Sequence, residues 1–185
     1  MPPSEGEKTF SVGEEKVLLR TRIGDVVSAD VTCLRRDRQA QFYRFNFSDW
    51  VNIIALTPDQ QVVLVSQFRF GSNRYELEIP GGAIENGEDP LAAGLRELRE
   101  ETGFAGRNGR IIGKVCPNPA LQGNSCYTVL VEDVKVVAAQ QLDNMEDIEV
   151  RTVPFTEIDR LIRTGIIDHS LVLNAFMLYE RQKKT

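Results

Sequence analysis

Three glutamates, Glu97, Glu100 and Glu101, stand three and four residues apart in a segment that predicts a helix. At these spacings the side chains are neighbours, and each pair of like charges costs an isolated helix about 0.2–0.5 kcal/mol. Arg96 and Arg99 could offset that repulsion on a plain, solvated face. The alternative is chemical, because hard cations such as Mg²⁺ prefer carboxylate and carbonyl oxygens and commonly bind together with substrate phosphates. The spacing is therefore typical either of a solvated acidic face or of a metal site for phosphate chemistry.

The limits of this helix follow from residue type. Asp89 is a preferred N-cap residue, Pro90 suits the first helical position, and Gly103 suits a left-handed end. The apolar face, which we expect to lie opposite the three glutamates, contains Leu91, Leu95 and Leu98. Upstream, Pro80-Gly81-Gly82 predicts a tight turn that exposes backbone carbonyls. A carbonyl from this turn and the carboxylates of the helix would together form half of a metal coordination shell.

The elements that must position these groups are predicted to form a mixed sheet with helices packed on it. Apolar segments with β-branched residues predict strands at 16–23, 26–35, 41–46, 51–56, 61–70, 111–115, 126–131 and 148–153. Two closing helices are predicted at 155–163 and about 171–181. This order indicates an α+β fold, with helices on either side of the sheet.

Composition narrows the class of protein. The chain has 185 residues, of which 42% are hydrophobic and 26% charged, so we expect one domain with a normal core. A net charge of -5 argues against a nucleic-acid partner. No apolar run approaches the ~20 residues that span a membrane, and the start, MPPSEGEKTF, predicts a weakly ordered tail and not a signal peptide. Cys33, Cys116 and Cys126 lack metal-site spacing and predict free thiols in a reducing, cytoplasmic compartment.

The glutamates belong to a longer pattern. Gly82, five residues, Glu88, seven residues, Arg96-Glu97-Leu98, one residue, Glu100-Glu101, one residue, Gly103-Phe104 resembles the Nudix box at every defined position. The resemblance to Nudix hydrolases implies an α/β/α sandwich around a mixed sheet. It also implies hydrolysis, with Mg²⁺ or in its place Mn²⁺, of a nucleoside diphosphate linked to another group.

Roles follow from the resemblance, position by position. Glu97 and Glu101 would be the principal metal ligands, and the Gly81 carbonyl would complete the shell. Glu100 would ligate a further metal or act in catalysis, or would pair with Arg96 and orient the helix. Glu88 would act through a metal-bound water.

Three features outside the box resemble the branch that hydrolyses ADP-ribose and nucleoside diphosphate sugars. Gln67-Phe68-Arg69, with Glu76-Leu77-Glu78 after it, would place Arg69 over the diphosphate; a plain surface arginine is the alternative. Pro119 would shape a pocket wall, or be an ordinary loop proline. The acidic segment 144–150 would supply Glu146 as the catalytic base or a metal ligand, or be a solvated turn.

Other residues leave the substrate open. Where the branch often has Gly and an acidic residue, this sequence has Ala120 and Asn124, which favours broader nucleotide-sugar use over strict ADP-ribose specificity. Trp50, like Phe45 and Phe47, could stack on a nucleobase, although core packing is the commoner role of such residues.

The expected function is hydrolysis of the diphosphate linkage to a nucleoside monophosphate and a sugar phosphate. The alternative is a non-catalytic Nudix domain that senses a nucleotide metabolite, which the complete set of box glutamates disfavours. Residues 1–45 are expected to form a tail and an antiparallel strand extension that exchanges strands in a homodimer, and residues 46–185 the hydrolase domain. The expected partner is a small nucleotide, without nucleic acid or membrane.

Overall fold

The computed structural model describes residues 9–182, and the chain divides into two compact units. One unit contains Met1–Ser48 and Cys116–Asn124, and the other contains Asp49–Val115 and Ser125–Thr185. Most of the predicted N-terminal tail, residues 1–8, lies outside the described residues. The expected division into a dimerisation segment, residues 1–45, and a hydrolase domain, residues 46–185, stays a prediction.

The sheet of the first unit is antiparallel, and its strands are β1 (Phe10–Val12), β2 (Lys16–Thr21), β3 (Gly24–Cys33) and β4 (Arg38–Phe47). β3 is the central strand and pairs with the other three. Residues 116–124 join this unit, where the Phe45 N–H donates to the Leu121 carbonyl at 2.8 Å. Much of the apolar surface is uncovered: Val27 is 4% exposed, but every residue of β2 is exposed.

The second unit alternates strands and helices. In chain order they are β5 (Trp50–Ala55), β6 (Gln61–Arg69), β7 (Arg74–Glu78), β8 (Gly81–Ala83), α1 (Pro90–Thr102), β9 (Phe104–Ala105), β10 (Asn108–Val115), β11 (Cys126–Glu132), β12 (Lys135–Val136), β13 (Ile148–Pro154), α2 (Ile158–Arg163) and α3 (Ser170–Gln182), with a 3-10 turn at Phe155–Glu157.

The second unit contains two sheets, which lie between its helices. One has the order β10-β11-β5-β8, with β11 and β5 parallel, and the other is antiparallel in the order β13-β6-β7. Since side chains alternate along a strand, β5 serves both layers. Val51 and Ile53 pack in the cluster that contains Leu98 of α1, whereas Ile54 packs in the cluster that contains Phe176 of α3. The predicted α/β/α sandwich around a mixed sheet is confirmed.

Most predicted elements are present, with ends displaced by a few residues. The predictions missed the short strands β1, β7 and β8 and the two-residue strands β9 and β12. β7 carries charged residues, so its strand character comes from pairing with β6 and not from an apolar pattern. None of the helices in residues 9–182 is long and apolar enough to cross a membrane.

Helix α1 has the predicted limits but not the predicted faces. The Asp89 side chain accepts from the N–H groups at the helix start, and Gly103 adopts φ 73° at its end. The expectation that Glu101 lies opposite the leucines is wrong: Glu101 is buried together with Leu98 and Gly94. The reason is that the sheet covers the arc between the leucines and the glutamates, where Gly94 allows close approach to β5 and β11.

The glycine segment that was predicted to be a tight turn is instead a strand. Gly81 and Gly82 belong to β8, which pairs with β5, and neither has a positive φ. What the glycines provide is space. A Cβ on Gly81 would meet the Val51 carbonyl oxygen at 2.4 Å, and one on Gly82 would meet the Glu97 carboxylate at 2.3 Å.

Candidate active site

Glu101 lies at the centre of the candidate site. It is 4% exposed, and its Oε2 accepts the Gly81 N–H at 2.9 Å. Burial raises the pKa of this carboxyl to about 8; the Gly81 hydrogen bond and the charge of Arg69 oppose the shift, whereas the charges of Glu97 and Glu146 add to it. A carboxylate under such repulsion is stabilised by any cation that binds beside it.

Arg96 holds the other acidic side chains of the box. Its Nη1 donates to Glu97 at 2.9 Å and to Glu100 at 3.0 Å, while Nε and Nη2 each donate to Glu88 at 2.9 Å. The pairing of Glu100 with Arg96, given above as an alternative, is therefore present. Burial raises the pKa of Glu97, and Arg96 opposes that effect. Arg96 lowers the pKa of Glu88.

The backbone groups of Gly81 in β8 point away from β5, to the side from which Glu101 accepts the Gly81 N–H. The Ile53 N–H of β5 donates to the Pro80 carbonyl at 2.8 Å. Since hydrogen-bonded positions alternate in an antiparallel pair, Gly81, opposite Asn52, directs both backbone groups away from β5. Its N–H reaches the Glu101 carboxylate, and its carbonyl lies on the same side of the strand.

Arg69 is fixed from two sides. Its Nε and Nη2 donate to Glu78 at 2.9 and 2.7 Å, and its Cζ lies 5.9 Å from the centroid of the Trp50 ring. Burial works against the charge of Glu78, but the bonds from Arg69 and the nearby His169 outweigh it and lower the pKa of Glu78 to about 2. An arginine held by a bidentate pair on one edge keeps further N–H donors for phosphate oxygens.

The acidic loop that carries Glu146 lies between β12 and β13. Glu146 is exposed, and its Oε2 accepts the Asp143 N–H at 2.9 Å. Its charge acts on Glu97 and Glu101, which places it within electrostatic reach of both. Tyr75 of β7 ties the loop by donating to Asp147 at 3.3 Å.

A segment just before this loop completes the end of α1. The Gln140 amide donates to the Glu101 carbonyl at 2.6 Å and to the Ile148 carbonyl at 3.0 Å. The Gln141 N–H donates to the Glu100 carbonyl at 2.8 Å. Two of the carbonyls that a helix leaves unpaired at its C-terminal end, those of Glu100 and Glu101, are thus satisfied by residues 140 and 141, which precede the Glu146 loop.

Three predicted binding residues belong to the first unit and not to this cluster. Pro119 lines a groove there with Phe42, Tyr43 and neighbouring residues. Phe45 and Phe47 stack on each other, with ring centroids 5.5 Å apart. Trp50 belongs to the second unit with Arg69, Glu97 and Glu101. The roles of all these residues in binding stay predictions.

The donor set suits a hard divalent cation. Two carboxylates of raised pKa lie on α1, Glu101 buried and Glu97 half-buried. β8 adds a carbonyl and a glycine, Gly82, whose missing Cβ leaves room for the Glu97 carboxylate. In residues 9–182 no three His, Cys, Asp or Glu side chains already form a cluster that could hold a metal ion.

The sequence analysis gave no role to Glu78, Gln140 or Asn52. Glu78 alternates with Leu77 and Ile79, which in a strand is the pattern of a solvent-facing residue, so nothing local indicated its burial. Gln140 lies in an irregular segment, and nothing local distinguishes it. Asn52 interrupts the apolar run of β5, which is the kind of polar residue that needs an explanation.

Comparison with known proteins identifies the family of the chain. A family model described as NUDIX domain matches residues 48–175. The chain is 31% identical to the ADP-ribose pyrophosphatase of Bacillus subtilis over 115 residues, 62% of each chain, and 47% identical to the ADP-sugar pyrophosphatase of Mus musculus over 70 residues, 38% of this chain and 32% of the relative. The alignments thus span less than two thirds of either relative. A crystal structure of an ADP compounds hydrolase superimposes with a TM-score of 0.84 at 20% identity, covering 98% of this chain and 97% of that one. The chain belongs to the NUDIX family.

Proposed function

We propose that this protein hydrolyses the diphosphate linkage of ADP-ribose or of nucleoside diphosphate sugars, giving a nucleoside monophosphate and a sugar phosphate. The observation that carries the proposal is the placement of Arg69, held by Glu78, within electrostatic range of the buried Glu101. The Arg69 guanidinium could then bind the phosphates of the same substrate whose metal ion the Glu101 carboxylate would hold. The names of the Bacillus subtilis and mouse relatives support the choice of substrate.

A divalent ion, Mg²⁺ or Mn²⁺, would be held by Glu97, Glu101 and the Gly81 carbonyl, with Glu100 as a further ligand. When bound, it would neutralise the charge that develops on the phosphate oxygens. Binding this ion requires Glu101 to be ionised. Because the pKa of this carboxyl is raised, protonation of Glu101 and binding of the metal ion compete.

The side chains of the protein orient the substrate and accept the proton of the attacking water. Arg69 orients the diphosphate, and Trp50 contributes to the wall of the substrate site. Glu146 takes the proton from the attacking water, whose oxygen forms a bond to one phosphorus as the bond between that phosphorus and the bridging oxygen breaks.

The direct test is a panel of ADP-ribose and nucleoside diphosphate sugars incubated with the full-length protein and Mg²⁺, with products separated by chromatography. We expect a nucleoside monophosphate and a sugar phosphate in equal amounts, and no turnover in excess EDTA. Full turnover in EDTA would contradict the metal mechanism. Binding of a panel member without any hydrolysis would favour the metabolite sensor instead.

We also propose a homodimer formed through the first unit. Large apolar side chains are exposed across its strands, including Leu18 at 54%, Leu19 at 57% and Phe42 at 55%. Uncovered apolar surface and strand edges of this kind are normally covered by a partner, and a two-fold exchange of N-terminal strands would cover both at once. Light scattering at micromolar concentration should give about twice the 20.8 kDa of one chain. A mass of one chain would exclude the dimer.

A further inference from the structure

Asn52 is a buried polar residue in an otherwise apolar strand. It is 3% exposed, and its neighbours Val51 and Ile53 are fully buried. Its Nδ2 has no hydrogen-bond partner among the described residues. Because a buried donor without a partner is unfavourable, a hydrocarbon side chain would suit this position better for packing alone. The benefit of the amide must come from its other end.

That other end accepts a hydrogen bond from Trp50. The indole Nε1 donates to Asn52 Oδ1 at 2.9 Å, between residues two apart on the same face of β5. A partly buried indole N–H needs an acceptor, so this bond fixes the plane of the ring. The ring lies under the guanidinium of Arg69 at 5.9 Å, which is within the range of a cation–π contact.

We propose that Asn52 is a positioning residue for substrate binding: it holds Trp50 in the orientation that supports Arg69 against the diphosphate. Arg69 is then restrained by Glu78 along one edge and by Trp50 on one face, and its remaining N–H donors are presented in a fixed direction. The effect of Asn52 is on the binding of the diphosphate and not on the metal. The kinetic part of this inference rests on the proposed function.

The close packing of Asn52 on Gly81 determines which variant is useful. Asn52 Oδ1 lies 2.6 Å from the place that a Cβ on Gly81 would occupy, so a larger side chain would displace β8 and disturb the metal ligands. Asn52→Ala removes the acceptor and leaves Gly81 untouched. Thr128→Val is the matched control, because Thr128 is equally buried and is the register partner of Asn52 on β11.

The first measurement needs no substrate. Trp50 is the only tryptophan of the chain, so the intrinsic emission reports this contact alone. In Asn52→Ala the freed N–H turns toward water, and we expect the emission maximum to shift to longer wavelength; Thr128→Val should leave it unchanged. An unshifted spectrum in a folded Asn52→Ala protein would overturn the proposal.

The second measurement separates substrate from metal. We expect Asn52→Ala to raise KM for ADP-ribose about tenfold, with kcat and the Mg²⁺ concentration for half-activation within about twofold of wild type, since the lost interaction orients the bound substrate. A changed Mg²⁺ requirement with an unchanged KM would show that Asn52 acts through Gly81, against the proposal.

A double-mutant cycle distinguishes the loss of the contact between Asn52 and Trp50 from a general destabilisation of the Asn52→Ala protein. Trp50→Phe keeps an aromatic face and has no N–H to satisfy, so in that background Asn52→Ala should change KM less than about twofold. An equal tenfold effect in both backgrounds would overturn the proposal. If the wild-type protein hydrolyses no member of the panel, the proposed function fails, while the emission of Trp50 still decides the role of Asn52.

Discussion

Arg96 binds three carboxylates that would otherwise repel one another. Its bonds to Glu88, Glu97 and Glu100 offset the repulsion among these side chains. Burial raises the pKa of Glu101 to about 8, and the Gly81 N–H and the charge of Arg69 oppose the shift only in part. The two principal predicted ligands therefore differ: Glu97 is paired with an arginine, whereas Glu101 is buried and bonded to a backbone N–H.

We expect Glu97→Gln and Glu101→Gln each to reduce turnover by roughly two to three orders of magnitude, the scale for losing a major electrostatic stabiliser. Folding should survive, because both changes remove a charge that burial disfavours. Steady-state kinetics and thermal unfolding measure the two effects. Glu132→Gln, on an exposed strand end far from α1 in sequence, is the control. Near-normal turnover in either active-site variant would refute the ligand assignment.

Glu78 predicts how stability depends on acid. Its pKa in the folded protein, about 2, is lower than the ordinary 4.5. The folded state therefore favours the ionised form, and the stabilisation is complete above about pH 4.5 and is lost as pH falls toward 2. We expect Glu78→Gln to lower the free energy of unfolding at pH 7 by about 3 kcal/mol, as for breaking a buried ion pair. The gap from wild type should narrow in denaturant titrations at pH 3, and a gap independent of pH would contradict the assignment.

At the scale of elements, β8 joins the sheet to the helix that carries the glutamates. Gly81 and Gly82 have distinct neighbours: a side chain at the first would meet backbone atoms of β5, and one at the second would meet the end of a flexible glutamate. Backbone cannot move aside, whereas the Glu97 carboxylate can. The two glycines should therefore fail in different ways when substituted.

We expect Gly81→Ala to lower the unfolding temperature markedly, because β8 must shift away from Val51. Gly82→Ala should keep a nearly normal unfolding temperature but lose about a hundredfold in turnover, since Glu97 is displaced from the metal. Gly71→Ala, which meets no atom within 4 Å, is the control for both measurements. Equal effects of the two substitutions on stability would contradict this division.

Features that depend on neighbouring residues could be predicted from the sequence, and features that depend on contacts between distant segments could not. The limits of α1 depend on Asp89, Pro90 and Gly103, whose preferences are local, and they were predicted correctly. The burial of Glu101 depends on which arc of the helix meets the sheet. Helical periodicity alone placed that arc over the leucines.

The glycines of β8 show the same limit. Their sequence suggests a turn because freedom of φ is the commoner use of glycine. Their actual use is close approach to β5 and to Glu97, which only the pairing of distant strands reveals. The site as a set of residue types was predictable from the box; its supporting contacts, Glu78 and Asn52 among them, were not.

At the scale of the whole molecule, the first unit leaves large apolar side chains exposed, and the proposed dimer would cover them. Deleting residues 1–45 should therefore make the protein aggregate or lose activity, because β5 onward would remain without the strands of the interface. Size-exclusion chromatography and the hydrolysis assay measure this. Deleting residues 1–8 alone, before β1, is the control. A 1–45 deletion that is well behaved and fully active would exclude any role for the unit in fold or function.

The contact between Gln140 and the Glu101 carbonyl also has a consequence for biosynthesis. The two residues are 39 positions apart, so a ribosome adding 5–20 residues per second needs roughly 2–8 s to go from one to the other. Throughout that interval the last turn of α1 must rely on water for carbonyls that the finished protein satisfies internally. Within residues 9–182, α1 is the first helix to be synthesised, yet its end is completed only after β11 and β12 have been added. A nascent chain arrested before Gln140 would present that frayed turn to proteases and chaperones.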